Sequence, residues 1–244
     1  MKVIWTGDSA HTKKESFRVD MHVGGPVAQG GSTEVIRYYD LWRKIASVAR
    51  DGSYDEADWE DGRLYFRSDY AEKLRKWPEW AELGDWGAWI IAPRNEGYIC
   101  VLSSLKHERD TQRSERVEVM FSHFADAGKY IIMRIGDSVR SDLRLQTLFV
   151  KWEARGLNSR IQIQPANREA IGFLNKERPT LKEGYAEKYL KSYTLEDDPT
   201  SYGFALSWEQ PRMEVLALSF EELTAALLDG MPESITSKVS LWRQ

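Results

Sequence analysis

Ser9 follows Gly7-Asp8 directly after the short apolar start Val3-Ile4-Trp5, and a serine hydroxyl there could serve as a nucleophile for ester or acyl transfer. That chemistry needs a base to take the hydroxyl proton and a further group to orient the base. The histidines are His11, His22, His107 and His123, and none lies late in the chain. An ordinary Gly-Asp turn is the simpler reading of residues 7–9. No two histidines have HxH or HExxH spacing, and His107 and His123 sit in or beside charged segments, where surface residence is the default and a metal site is not expected. The one cysteine, Cys100, lies in the apolar run Ile99-Cys100-Val101-Leu102 and reads as a buried, inert thiol with no disulfide partner. Neither GxGxxG nor GxxxxGK[ST] occurs, so the common phosphate-cradling loops are missing.

What remains is chemistry of recognition. Asp51, Asp55, Glu56, Asp58, Glu60 and Asp61 form an acidic stretch with no base between 51 and 62, interleaved with Tyr54 and Trp59. Carboxylates beside aromatics suit a basic cleft on a partner and speed encounter with it. A solvated loop is the plainer reading of the same residues. The chain holds ten tryptophans, and Trp77, Trp80, Trp86 and Trp89 crowd into one short segment. Each buries a large area on packing, so most belong to a core, with some left as interface anchors. Net charge is −4, from 34 Lys+Arg against 38 Asp+Glu, which argues against a general nucleic-acid binder. Lys129, Arg134, Arg140 and Arg144 outnumber Asp137 and Asp142 on one segment, and this reads as a solvated helical face.

These residues need elements to position them. Phe17, Val19, Met21 and Val23 alternate as on a strand. Ile36, Tyr39, Trp42, Ile45 and Val48 recur at steps of three and predict a helix over 34–50. Residues 63–67 read as a strand, and Asp69 with Glu72 opens a short helix ended by Trp77-Pro78. Residues 86–92 and 98–105 form a hairpin around Pro93-Arg94-Asn95-Glu96-Gly97, and 115–121 is a further strand. A long helix is expected over 124–143, with the stripe Ile132, Ile135, Val139 and Leu143; Gly128 and Gly136 inside it each cost about 1 kcal/mol relative to Ala. A hairpin is expected over 147–154 and 159–164, and helix over 166–193 broken at Pro179, with Thr180 and Glu183 at capping-box spacing. Strands at 202–208 and 213–218 flank a turn at Pro211. Ser219 and Glu222 form a capping box, with Leu218 and Leu223 as a staple, and Gly230 and Pro232 close that helix. Hairpins mixed with helices, without βαβ alternation, give an α+β fold with a largely antiparallel β-sheet and packed helices. The expected organisation is an N-terminal lobe or extension over 1–84 and an α+β domain over 85–244.

Three blocks together resemble a known family. They are Ser122-His123-Phe124-Ala125-Asp126-Ala127-Gly128-Lys129-Tyr130 continuing to Arg140; Trp152-Glu153-Ala154-Arg155-Gly156-Leu157; and Ala205-Leu206-Ser207-Trp208 with Leu218-Ser219-Phe220-Glu221-Glu222-Leu223 and Gly230-Met231-Pro232. In this order they resemble the immunity proteins of bacterial polymorphic toxin systems, in particular the family of the immunity factor for a mycobacterial necrotizing toxin, an NAD-glycohydrolase. The resemblance spans roughly residues 85–235. It implies a cytosolic inhibitor that binds a cognate toxin domain, occludes its active site and has no activity of its own.

A cytoplasmic address also agrees with one cysteine, no signal-peptide h-region and no apolar run long enough for a membrane span. The expected partner is therefore a toxin protein domain, with no nucleic acid, membrane, metal or cofactor. The nominated contact residues are Tyr54, Asp55, Glu56, Asp58 and Trp59. Two other readings stand beside this one. One is a hydrolase similar to the GDS lipases and esterases that uses Ser9, although that family's late Asp-x-x-His block is absent. The other is an interaction protein with an unrelated partner.

Overall fold

A computed structural model describes residues 31–49, 54–78, 86–105 and 113–242. Ser9, the 17–23 alternation, His11, His22, Asp51, Trp80 and His107 lie outside the described residues. The elements in chain order are α1 (Ser32–Ala49), β1 (Asp58–Glu60), β2 (Arg63–Ser68), α2 (Tyr70–Lys76), β3 (Gly87–Pro93), β4 (Ile99–Leu105), β5 (Ser114–Phe121) and α3 (Phe124–Asp142). There follow α4 (Leu148–Arg155), β6 (Ile161–Pro165), α5 (Arg168–Glu177), α6 (Tyr185–Tyr189), β7 (Leu190–Leu195) and β8 (Tyr202–Leu206). A 3-10 segment (Ser207–Ala217), α7 (Phe220–Leu228) and α8 (Glu233–Trp242) complete the chain's described part.

The strands form one eight-stranded sheet in the order β1-β2-β3-β4-β5-β8-β7-β6, and every neighbouring pair is antiparallel. This is the α+β architecture with antiparallel sheet that the patterning predicts. Alternation along each strand divides the core in two. Ile91, Val101, Val119 and Phe121 face α1, α3, the 3-10 segment and α7. Ile90, Cys100, Met120 and Phe204 face α5 and α6. β2 pairs with β3, and α1 packs on α3, so elements before and after residue 84 share one sheet and one core.

α3 is the central element of the first face. Its two interior glycines have a packing reason: a Cβ on Gly128 would lie 2.7 Å from Val35 Cγ1 of α1, and one on Gly136 would lie 2.6 Å from Leu227 Cδ1 of α7. The helix gives up propensity there so that two other helices can approach its backbone. At its C-terminal end Arg140 is buried rather than solvated, contrary to the solvated-face expectation. Its guanidinium donates to the carbonyls of Gln146 (2.8 Å), Leu227 (2.6 Å) and Asp229 (2.7 Å). Lys129 is likewise buried, 2.8 Å from Asp126 and donating to the Leu218 carbonyl at 2.7 Å.

Four sequence expectations are corrected. The segment expected as a strand over 147–154 forms helix α4 (Leu148–Arg155), with Thr147 as its N-cap. The Thr147 hydroxyl accepts from Val150 N, and Asp137 of α3 accepts from Leu148 N (2.6 Å) and Phe149 N (3.0 Å), so the orphan donors of the first turn are met by a residue from another helix. Residues 190–193 belong to strand β7 rather than a helix, because their backbone pairs on both sides with β6 and β8. The Thr180–Glu183 spacing caps nothing, as α6 begins after Gly184. Residues 213–217 are 3-10 helix rather than strand, buried through Met213, Glu214, Val215 and Leu216. The Ser219–Glu222 capping box forms as expected, with both reciprocal hydrogen bonds present.

Candidate functional site

The nominated segment opens on Tyr54, whose backbone bridges Ser68, and runs into the edge strand β1. β1 turns back into β2 through Asp61 (φ 50°) and Gly62 (φ 73°), between the paired residues Glu60 and Arg63. A two-residue Asp-Gly loop with both residues at positive φ matches the right-handed twist of a hairpin. The acidic stretch is therefore partly an ordered strand and turn, and the Asp-Gly dipeptide is the sequence signal that marks it.

The five nominated side chains have different tasks. Tyr54 is half-buried against the first core. Asp55 caps α2 from outside: its Oδ2 accepts from Tyr70 N (3.0 Å) and Ala71 N (3.2 Å), while its carbonyl accepts from the Tyr39 hydroxyl at 2.7 Å. Burial, reinforced by Asp55, raises the Tyr39 pKa and keeps that phenol a donor. Glu56 pairs with Arg43 at 3.0 Å, and Asp58 with Arg67 at 3.1 Å. Trp59 is 43% exposed and stacks on Phe124 at 5.9 Å between ring centroids.

Arg67 also pairs with Glu60, and its guanidinium lies over Tyr65 at 4.3 Å and Tyr70 at 4.9 Å. A buried, stacked guanidinium thus holds the hairpin's carboxylates in place on the surface. Of Asp55, Glu56, Asp58, Glu60 and Asp61, three meet a guanidinium: Glu56 that of Arg43, and Asp58 and Glu60 that of Arg67. The segment stays net negative, with Glu56, Asp58 and Glu60 carboxylates mostly exposed.

The interior acids are all partnered. Glu209 accepts from the Tyr130 hydroxyl (2.7 Å) and from Arg212 (3.0 and 2.9 Å). Glu214 accepts from Arg155 and from Asn158 N. Among the described residues the one histidine is His123, at the N-cap of α3, and no group of three His, Cys, Asp or Glu could hold a metal ion. Cys100 is free and buried, and burial pushes its thiol up to about 12. Among the described residues no helix is long and apolar enough to cross a membrane.

The described surface includes three open clefts. One of about 190 Å³ lies against Trp89, Ser103 and Leu105, and one of about 270 Å³ against Trp152 and Trp208. The third, of about 330 Å³, lies over Tyr98, Tyr202 and Phe204. Trp208 is 46% exposed and packs beside Tyr185 (5.8 Å) and Tyr189 (6.2 Å).

Comparison with curated proteins gives no match. Among solved structures, Rv3902c from M. tuberculosis aligns with a TM-score of 0.45 at 15% sequence identity, covering 81% of this chain and 88% of that one. The family model described as Immunity protein 61 matches residues 49–195, which is more than half of the chain and includes the hairpin, the sheet through β7, and α3. The chain belongs to the Immunity protein 61 family.

Proposed function

We propose that this chain is a cytoplasmic immunity protein that binds a cognate bacterial toxin domain, covers its active site and carries out no reaction itself. The observation that carries this reading is the family match across residues 49–195. The partnering of Glu209, Glu214, Asp126 and Cys100's burial support it, since a general acid, base or nucleophile needs a group left available to substrate. The finer reading is a toxin of a polymorphic system with NAD-glycohydrolase chemistry, as the resemblance of the 122–140, 152–157 and 205–232 blocks implies. The contact surface is the β1 edge, with Trp59 as the aromatic anchor, Glu56 and Asp58 as exposed carboxylates, and Tyr54 and Asp55 as the support beneath them. Acidic groups there would meet a basic cleft that otherwise receives an anionic substrate.

Co-expression of the chain with a toxin domain, taken from a neighbouring gene where one encodes it, tests this directly. The reading requires that the two co-purify as a stable complex and that cells carrying the toxin survive only when the chain is present. Absence of both association and rescue would remove it.

A further inference from the structure

The antiparallel register places several connections at one end of the sheet: the Asp61-Gly62 turn, the β3–β4 turn around Glu96, and the starts of β6 and β8. The third cleft opens at this same end, on the face opposite α3. Its floor is aromatic. Tyr98 and Phe204 meet edge to face at 5.7 Å, and Tyr202 meets Phe204 at 5.8 Å. Glu96 and Glu169 supply carboxylates at its wall, Ser192 and Thr194 of β7 supply hydroxyls, and no lysine or arginine lines it.

Two further observations say what the cleft takes. Tyr98 is only 7% exposed, lines the cleft, and its hydroxyl makes no hydrogen bond among the described residues. Glu169 has no ion-pair partner among the described residues, and Glu96 has only Lys176 at 3.6 Å, a loose surface contact between two exposed side chains. The N-terminus of α5 also meets the cleft and disfavours a cation by its dipole. Asn167 already caps that end, accepting from Ala170 N at 2.8 Å, and the partial charge of a helix end is smaller than two full carboxylates. Aromatic faces with carboxylates and an unused phenol acceptor fit a flat, multi-donor cation, which stacks on rings and donates at its edge. The volume, about 330 Å³, is near the lower limit of small-ligand pockets and suits one side chain better than a cofactor.

We propose that this cleft receives an arginine side chain from the toxin's surface. The proposal rests on the immunity reading for its partner, but not for its chemistry. The guanidinium lies against the half-buried Tyr202 ring, donates to the Tyr98 hydroxyl, Glu169 and Glu96, and displaces Lys176 from Glu96. Together with the acidic hairpin at the same sheet end, it gives one basic partner two separate points of attachment.

Two measurements test it independently. The first is an NMR titration of the whole chain with N-acetyl-arginine amide, with N-acetyl-lysine amide and sodium chloride as controls. Saturable shifts are expected at Tyr98, Glu169 and Thr194, with arginine preferred over lysine and affinity on the order of millimolar. The double variant Tyr98→Phe, Glu169→Gln should lose them while its circular dichroism stays that of the parent. Shifts absent from the cleft, or equal for lysine and salt, overturn the proposal. The second is binding of the toxin domain to the same double variant, expected to weaken about tenfold or more. Unchanged affinity overturns the cleft and leaves the immunity reading standing. If the parent chain itself fails to bind the toxin, the immunity reading falls, and the arginine titration alone decides the cleft.

Discussion

The Asp58 carboxylate lies 3.1 Å from a guanidinium nitrogen of Arg67, a buried arginine sandwiched against Tyr65 and Tyr70. The acidic hairpin is therefore anchored from below, and its residues are not interchangeable. Asp55 supports α2, whereas Glu56 and Asp61 project into solvent. Replacing Asp55 with Ala should cost about 1 kcal/mol of stability through the lost cap, measured by urea unfolding. Reversing Glu56 and Asp61 to Lys should lower stability by no more than about 1 kcal/mol through the lost, exposed Glu56–Arg43 pair, slow association with the toxin by stopped-flow, and flatten its salt dependence. An unchanged on-rate would move the contact surface elsewhere.

The glycines of α3 lead to an outcome opposite to helix propensity. Alanine at Gly128 or Gly136 gains about 1 kcal/mol intrinsically but must displace Val35 or Leu227, and overpacking costs about 1–3 kcal/mol. Both variants should melt below the parent. Gly172 in α5 is the control, since nothing lies within 4 Å of an added Cβ there. Gly172→Ala should melt above the parent by an amount equivalent to about 0.5–1 kcal/mol.

Arg140 closes the end of α3 onto α7 through three carbonyls. Methionine at this position fills part of the volume but leaves three carbonyls without their charged donor, that of Leu227 buried and those of Gln146 and Asp229 partly so. A loss of about 3 kcal/mol or more is expected from denaturant titration. A variant as stable as the parent would mean that water satisfies those carbonyls.

Two glutamates should titrate with opposite signs. Burial raises the pKa of Glu214, against the pull of Asn158 N–H and Arg155. The folded chain holds that proton more tightly than the unfolded chain, so its contribution to stability is full below the unfolded carboxylate pKa and is lost as pH rises through the folded value. The backbone N–H and hydroxyl of Ser219 lower the pKa of Glu222. Its contribution is present above the unfolded pKa and is lost as pH falls through the folded value. From about pH 7 to about pH 4, the parent should gain stability relative to Glu214→Gln and lose its advantage over Glu222→Gln. Parallel curves for the two variants would contradict the assignment.

Local rules account for what was legible in the sequence. The stripe Tyr39, Trp42 and Ile45, the 86–105 hairpin and the Ser219–Glu222 box depend on neighbours a few residues away, and all form. α4 was hidden because Asp137, eleven residues before its first residue, accepts from two of its first-turn N–H groups. The 213–217 segment alternates like a strand, but Arg155 and Asn158 N hold its buried Glu214 instead. α8 had no marked pattern in advance. The acidic stretch could be seen from composition, whereas its anchoring by Arg43 and Arg67 could not. The Tyr98 cleft draws on β4, β7, β8 and the start of α5, and only the sheet order brings those residues together.

The most direct test of inhibition by binding is a titration of the purified chain into a fixed amount of its cognate toxin domain, following the toxin's own activity. Activity should fall linearly and vanish at one chain per toxin, with a complex of matching mass. Full toxin activity at a molar excess of the chain, or inactivation continuing to completion at a small fraction of an equivalent, would contradict a stoichiometric inhibitor.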